Sequence, residues 1–437
     1  MRILLISFYF PPYNSIGAVR VGKTAKFLRQ FGHDVRVLTA TGQPFDASLP
    51  LEVPGSCVTA VRYLDMNRPL RGFRIGRARL EQASVTPRGD GGLRTLLQAA
   101  RRLYANLANI PDAQMGWYAP AVRAGRRLLR SWQPDIILAS AWPATAFLVA
   151  RTLARQAKVP WVAEYRDLWS EHPYSAAYPW RRAVESAVED CVVGSATGLV
   201  TVSEPLAVAL QARFRRAPAI VLNGFDAADQ PAGVAPDQFA DPRLTIVYTG
   251  MIYPGKRDPT PLFVALARMG REAREVVVRF AGRNLDAIPA IAREHGVESS
   301  VEVLGQLPYA QSLRIQAEAD ALLMLMWNDP SEAGVFTGKL FEYVGARRPI
   351  LVVGCATSAA ACLVVQRSLG DAADDPDAIV VILRRLLARK RAGGIPLLPA
   401  GACDDLSREA QTRRLERYLL GVVRSRSPTA PTGSGPR

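Results

Sequence analysis

Lys339 and Glu342 stand three residues apart in the segment Gly334-Val-Phe-Thr337-Gly338-Lys339-Leu340-Phe-Glu342-Tyr-Val-Gly-Ala, which runs on into Arg347-Arg348-Pro349 and an apolar Ile-Leu-Val-Val. The pattern reads as a loop, a short helix that starts around Thr337, Gly338, Lys339 and Leu340, and then a buried strand. The free N–H groups and positive dipole end of such a helix favour an anion, and Lys339 adds a full charge there. Glu342 shares a helix face with Lys339 and is placed to accept hydrogen bonds from hydroxyls such as those of a ribose. Phosphate and ribose together point to a nucleotide diphosphate. The alternative is an ordinary helix with a solvated Lys–Glu pair.

Two more loops carry phosphate-binding residue types. Thr249-Gly250-Met-Ile-Tyr-Pro-Gly255-Lys256-Arg257 places two glycines and two cations after an apolar run. Lys256 and Arg257 would stabilise the charge that builds on a departing diphosphate. Pro11-Pro12-Tyr-Asn-Ser-Ile-Gly17-Ala-Val-Arg20 leads into a helix, with Gly17 allowing close backbone approach and Arg20 near the helix start. Neither loop has the three-glycine dinucleotide fingerprint or the Lys-Ser/Thr ending of a P-loop, which disfavours a nicotinamide dehydrogenase and a Walker-type ATPase. Glu164-Tyr-Arg166-Asp167-Leu-Trp169 closes another apolar run, and Arg166 or Asp167 is placed to orient an acceptor or touch phosphate; a structural ion pair of Arg166 is an equal alternative. His33, His172 and His295 do not cluster. The chain shows no Gly-x-Ser-x-Gly elbow, no paired histidines for zinc and no Asp-x-Asp pair to hold a metal against a sugar nucleotide, so neither metal nor cofactor is expected.

Two series of alternating strands and helices must carry these loops. In the first, strands are expected at residues 3–8, 33–39, 136–139, 161–164, 199–203 and 220–222, with helices at 21–31, 144–156 and 204–214. In the second, strands fall at 245–249, 276–281, 301–304, 321–326 and 350–353, with helices at 261–269, 288–295 and 309–318. Strands joined by helical crossovers imply α/β domains with doubly wound parallel sheets, whose ligand loops lie at the carboxyl ends of the strands. The expected division is residues 1–225, a linker at 226–243 rich in Ala, Pro, Gly and Asp, a second domain at 244–423, and a disordered tail at 424–437.

The chain has 437 residues, 49% of them hydrophobic, enough for two complete cores. No window reaches the roughly 20 apolar residues of a membrane span. Five cysteines, odd in number and widely spaced, suit reduced thiols in a cytoplasmic protein. The formal charge is +16, and between residues 62 and 130 fourteen arginines meet only Asp65, Glu81, Asp90 and Asp112. Helical spacing at 93–108 and 122–132 interleaves these arginines with leucines, a pattern suited to an anionic membrane surface. Nucleic acid is disfavoured, since no zinc-finger, RNP or helix-turn-helix pattern is present. Ordinary solvated helices are the plain alternative.

Taken in order, Phe-x-Pro-Pro…Ile16-Gly17, Gly32-His33-Asp-Val-x-Val-Leu-Thr, Arg166-Asp-Leu-Trp169, Val202-Ser203, Asn223-Gly224-Phe-Asp226, Gly250…Gly255-Lys256 and Thr337-Gly-Lys-Leu-Phe-Glu342 resemble the family 4 glycosyltransferases of the GT-B fold over nearly the whole chain. Ile110-Pro-Asp112 with Gly116-Trp117 is similar to the bacterial branch that builds O-antigen, capsule or exopolysaccharide. The resemblance implies two Rossmann-like domains facing across a cleft and a retaining, metal-independent hexosyl- or N-acetylhexosaminyl-transferase without cofactor. A nucleotide-diphosphate sugar, most simply a UDP-sugar, would be donor, and a lipid-linked or saccharide acceptor would be met at the inner face of the plasma membrane.

Carried over by position, Glu342 matches the second of the family's two glutamates, Lys256 the cation of the first loop in the nucleotide domain, and Gly17 the glycine that approaches the diphosphate. The resemblance thus implies donor binding by Gly17, Gly250, Lys256, Arg257, Thr337, Gly338, Lys339, Leu340 and Glu342, and catalytic roles for Lys256, Arg166 and Asp167. Two departures stand out: Gly334 occupies the place of the first glutamate, with Glu332 nearby, and Arg166-Asp167 stands where the family often has His-Asp. A sugar-nucleotide 2-epimerase of the same architecture, or a non-catalytic nucleotide-sugar-binding partner, are the alternatives.

Overall fold

The computed structural model describes residues 1–67, 104, 106–107, 109–171, 178–231, 241–253, 255–327, 336, 338–399 and 401–425. Contacts divide the chain into two compact units, the first comprising Met1–Val202, Leu206–Ile220 and Arg413–Arg437, the second Ser203–Pro205 and Val221–Thr412.

The first unit contains, in chain order, β1 (Arg2–Ile6), α1 (Ile16–Gln30), β2 (Asp34–Thr41), β3 (Val58–Arg62), α2 (Tyr118–Ser131), β4 (Ile136–Ala141), α3 (Thr145–Ala157), β5 (Trp161–Tyr165), α4 (Pro179–Val193), β6 (Gly198–Thr201), α5 (Glu204–Phe214) and β7 (Ala219–Ile220). The strands are parallel, in the order β3-β2-β1-β4-β5-β6-β7. β1, β4 and β5 are apolar runs buried on both faces, as a helix-covered parallel sheet requires. α1 begins five residues before the expected helix because Ser15 caps it, its Oγ accepting from the Ala18 N–H at 3.2 Å. Gly17 and Arg20 therefore lie in the opening turns of a helix and not in a loop. β3 was not expected from the sequence: its half-exposed residues show no clear alternation, and its edge position explains why.

The second unit contains β8 (Leu244–Met251), α6 (Thr260–Met269), β9 (Val276–Arg283), α7 (Ile288–Glu294), β10 (Val301–Gly305), α8 (Tyr309–Glu318), β11 (Ala321–Leu325), α9 (Gly338–Ala346), β12 (Ile350–Val353), α10 (Ala359–Gln366), β13 (Gly370–Ala373), α11 (Pro376–Arg391) and the start of α12 (Arg408–Arg424). Its parallel sheet runs β10-β9-β8-β11-β12-β13. Alternating side chains serve its two faces. Ile246 and Tyr248 join Phe263, Phe280 and Leu383 in one core, while Val247 joins Leu322, Met324, Leu340 and Val344 in the other. In both sheets the strand order reverses direction at the first strand, β1 against β4 and β8 against β11. The carboxyl ends there are where an open α/β sheet receives ligands.

α12 changes unit along its length: Gln411 accepts from the Leu222 N–H at 2.8 Å in the second unit, and Tyr418 from the Leu199 N–H at 3.0 Å in the first. The residues from Arg413 onward thus group with the first unit, although the sequence reading kept everything to 423 in the second. Helix also runs through Arg424, the first position of the expected tail. Of the basic stretch, the expected helix at 93–108 falls almost wholly outside the described residues, and that at 122–132 is α2, which turns Arg123, Arg126, Arg127 and Arg130 to solvent. Among the described residues, no helix is long and apolar enough to cross a membrane.

Candidate active site

β8 and β9 end side by side on paired glycines. Gly250, in register with Gly282, has φ +128°, and Gly282 has φ +144°. A Cβ on Gly282 would stand 1.8 Å from the Gly250 carbonyl oxygen, and one on Gly250 would stand 2.0 Å from Nζ and Cε of Lys339. The bare backbone at this strand end therefore makes the space in which Lys339 lies. Its ammonium donates to the Tyr248 hydroxyl at 2.9 Å and sits 4.3 Å from the ring centroid. Burial first, and the nearby Arg257 charge next, lower the Lys339 pKa to about 7, while Glu342 works the other way. Burial also pushes the Tyr248 phenol up to about 12.

The other sequence-identified cations gather at the same edge of the second sheet. Lys256 Nζ lies 4.4 Å from the ring centroid of Trp327, two residues past β11, and the Arg257 guanidinium lies 4.9 Å from that of Tyr253. One turn into α9, Glu342 receives a hydrogen bond from Gln316 Nε2 at 3.3 Å. Its pKa is raised by burial, against the pull of Gln316, Lys339 and Arg408. The same Gln316 amide donates to Thr249 Oγ1 at 3.0 Å, and the Thr249 N–H donates to the Tyr343 hydroxyl at 2.9 Å, so the Glu342 carboxylate is tied to the end of β8. Gly338 opens α9; Leu340 is fully buried, which leaves its backbone N–H as the group a ligand would meet. Thr337, Gly334 and Glu332 lie outside the described residues.

Sequence reasoning placed Gly250, Lys256, Arg257, Lys339 and Glu342 near one another and missed three supports. Tyr248, Gln316 and Tyr343 gave no spacing signal, because their partners lie far off in sequence. Gln316 offered a faint one, a polar residue on the face of α8 that also carries Leu313 and Ala317, and it is fully buried there.

In the first unit, Arg20 and Gly17 find partners within the protein. Arg20 is 2% exposed and forms a buried ion pair with Glu164, Nη2 to Oε1 at 2.7 Å and Nε to Oε1 at 3.1 Å. This corrects the reading of Arg20 as a residue of a phosphate-binding loop: α1 begins early enough to turn it into the sheet. Burial pushes the Glu164 carboxyl up, but the Arg20 charge, then hydrogen bonds from Ser140 and Arg20, and last the Arg166 charge outweigh it and hold it below the ordinary range. A Cβ on Gly17 would come within 1.9 Å of Arg166 Nη1, so the glycine lets that guanidinium lie against α1. Arg166 is also fastened to β4, its Nε donating to the Ala141 carbonyl at 2.8 Å and its Nη2 to the Trp142 carbonyl. Burial lowers its pKa, with Asp167 and Glu164 opposing. Asp167 itself is exposed.

Asp112, in the Ile-Pro-Asp motif, is buried and accepts from both the N–H and the hydroxyl of Thr145 at 2.7 Å, which fixes the start of α3. Gly116 is needed because a Cβ there would meet the Leu64 carbonyl oxygen at 1.9 Å. His33 pairs with Glu416 at 2.7 Å, and His172 lies outside the described residues.

The model of the "Glycosyl transferase 4-like domain" family matches residues 17–224. Solved structures of similar fold include sucrose-phosphate synthase from Thermosynechococcus elongatus, with TM-score 0.63 and 15% identity over 97% of this chain and 100% of that one. The lipopolysaccharide outer core galactosyltransferase WaaB in its apo form aligns with TM-score 0.55 and 13% identity over 96% of this chain and 99% of that one. A structure described as trehalose-6-phosphate from E. coli bound with UDP-2-fluoro glucose aligns with TM-score 0.55 and 12% identity over 97% and 99%. No curated protein matches the chain. At these identities the structural likeness is one of fold, the two-domain Rossmann-like GT-B fold. Residues 17–224 are thus similar to a glycosyl transferase 4-like domain, and the chain as a whole shares the GT-B fold.

Proposed function

We propose that this chain is a retaining, metal-independent glycosyltransferase that moves a hexosyl or N-acetylhexosaminyl group from a UDP-sugar onto a lipid-linked or saccharide acceptor in cell-surface glycan synthesis. The observation that carries this reading is the placement of Lys339 across the bare Gly250 backbone at the reversal point of the second sheet, with Lys256 and Arg257 at the same edge. Such a site suits a diphosphate, with ribose hydroxyls on Glu342.

In this reading the bond between the anomeric carbon and the diphosphate oxygen breaks while Lys339, Lys256, Arg257 and the α9 amides stabilise the growing negative charge. The acceptor oxygen bonds to the same face of the carbon, and its proton passes to the departing phosphate oxygen, so no protein base is required. Arg166 and Asp167 on the first unit are assigned to the acceptor. Three fixed cations take the place of a divalent ion, and activity is expected to persist in a chelator. The exposed arginines of α2 favour peripheral association with an anionic inner membrane surface.

The test is a panel of nucleotide sugars incubated with the protein in EDTA, with and without saccharide and lipid-linked acceptors, following release of the nucleoside diphosphate. Acceptor-dependent release supports transfer. Isomerised sugar nucleotide without acceptor would favour the epimerase, and donor binding without turnover a non-catalytic partner.

A further inference from the structure

Gln316 lies on α8, which packs against β8 and α9, and it is fully buried. Its amide nitrogen faces three oxygens: Thr249 Oγ1 at 3.0 Å, Glu342 Oε2 at 3.3 Å and Ser312 Oγ at 3.5 Å. The amide oxygen, turned the other way, is buried and has no hydrogen-bond partner among the described residues. A buried carbonyl left so is destabilising. Turning the amide over would set that carbonyl against the Glu342 carboxylate, acceptor facing acceptor. The orientation therefore gives up one acceptor and holds Glu342.

Gln316 is also the one hydrogen-bond donor to the Glu342 side chain among the described residues. Lys339, three residues earlier on α9, gives its ammonium to the Tyr248 hydroxyl instead. Burial raises the Glu342 pKa, and of the influences opposing it the Gln316 hydrogen bond comes first, ahead of the Lys339 and Arg408 charges. Oε2 is thus pinned, and Oε1 is left to accept from a ligand. A carboxylate held at one oxygen keeps one rotation, so a hydroxyl must arrive at a set place to meet it. When a ligand lacks that hydroxyl, a fixed carboxylate cannot turn to another donor, and its charge stays unmet. A carboxylate free to rotate would tolerate the loss.

We propose that Gln316 sets the sugar selectivity of the nucleotide site, fixing Glu342 so that a ribonucleoside diphosphate binds in preference to its 2′-deoxy form. The inference rests on the reading of Glu342 as the residue that accepts from ribose. Gln316 acts through Glu342 and is a positioning residue.

Calorimetry on the full chain with UDP and with 2′-deoxy-UDP tests this. The unaltered chain should bind UDP about thirtyfold more tightly, the effect of one hydrogen bond to a charged group. Gln316→Met keeps the volume and removes both the donor and the orphaned carbonyl. It should bring the ratio to about threefold, with UDP weakened and 2′-deoxy-UDP nearly unmoved. A purely structural role for Gln316 would instead weaken both nucleotides alike. Thr249→Val, the same shape without the hydroxyl, frees the other end of the amide and should lower the ratio to about tenfold, which supplies the readout if Gln316→Met does not fold. A ratio unchanged in the folded variants overturns the inference and leaves the donor reading standing. An unaltered chain that binds the two nucleotides equally, or neither of them, overturns both.

Discussion

The Lys339 ammonium lies 2.9 Å from the Tyr248 hydroxyl, in space that any side chain on Gly250 would fill. A cation held over an aromatic ring at a bare strand end, with its pKa lowered to about 7 mainly by burial, changes charge within the physiological range. An incoming diphosphate favours the protonated form and raises that pKa. Donor affinity is therefore level below about pH 7 and falls as pH rises above it, until the pKa of the bound state is reached. Calorimetry in buffers of different ionisation enthalpy should show proton uptake on UDP binding above that pH and little below it. Lys339→Met should remove the uptake and weaken binding at the lower pH most. Uptake that persists in the variant would place the titrating group elsewhere.

Glu342→Ala and Lys256→Ala probe the two ends of the same donor. Loss of a carboxylate that accepts ribose hydroxyls raises KM, while loss of a cation at the leaving group lowers kcat, each by about a hundredfold in kcat/KM. Neither side chain belongs to a hydrophobic core, so melting temperature should stay close to that of the unaltered chain. If both variants transfer sugar at the original rate, the site lies elsewhere.

Much of the alternation of strands and helices was legible in the sequence, where an element shows its period; the helices α4, α10, α11 and α12 and the strands β3 and β13 were not read from it. α5, α8 and β12 begin and end where the pattern puts them. The candidate site was legible in part: glycines and cations at strand ends are local signals, and Gly250, Lys256 and Lys339 carried them. Pairings across distance were not. Arg20 read as a residue of a phosphate-binding loop because nothing near it in sequence reveals Glu164, 144 positions away, which takes up its charge. Tyr248 and Lys339 are 91 positions apart and meet only once β8 and α9 fold onto one sheet edge.

The Arg20–Glu164 pair gives a stability prediction of definite sign. Glu164→Gln leaves the Arg20 charge buried without its counter-ion, at a cost of about 3–5 kcal/mol. Replacing both residues with apolar ones of similar volume should restore much of that loss. The Glu164 carboxyl is held low in the folded state, so the unfolded chain binds more protons in the acid range, and the pair's contribution present at neutral pH fades as pH falls. Denaturant titrations at neutral and acid pH should therefore show the gap between the original chain and the double variant narrowing in acid. A gap that is constant with pH would mean that the pair is not ionised as described.

Gly282 and Gly17 predict opposite outcomes for the same change to alanine. At Gly282 the φ of +144° is foreign to alanine, and the new methyl would meet the Gly250 carbonyl oxygen at 1.8 Å, backbone against backbone. Strain of this kind costs about 1–3 kcal/mol, and moving the paired strand end would also displace Lys339 from Tyr248. The variant should melt at lower temperature and lose donor affinity together. At Gly17 the helical backbone accepts alanine, and the methyl meets Arg166 Nη1, the end of a flexible side chain. Arg166 must then release the Ala141 and Trp142 carbonyls or swing aside, so stability falls by only about 1 kcal/mol while acceptor-dependent transfer drops. Measuring melting temperature and kcat/KM for both variants separates the cases. A Gly17→Ala protein with unchanged transfer would remove Arg166 from the acceptor side.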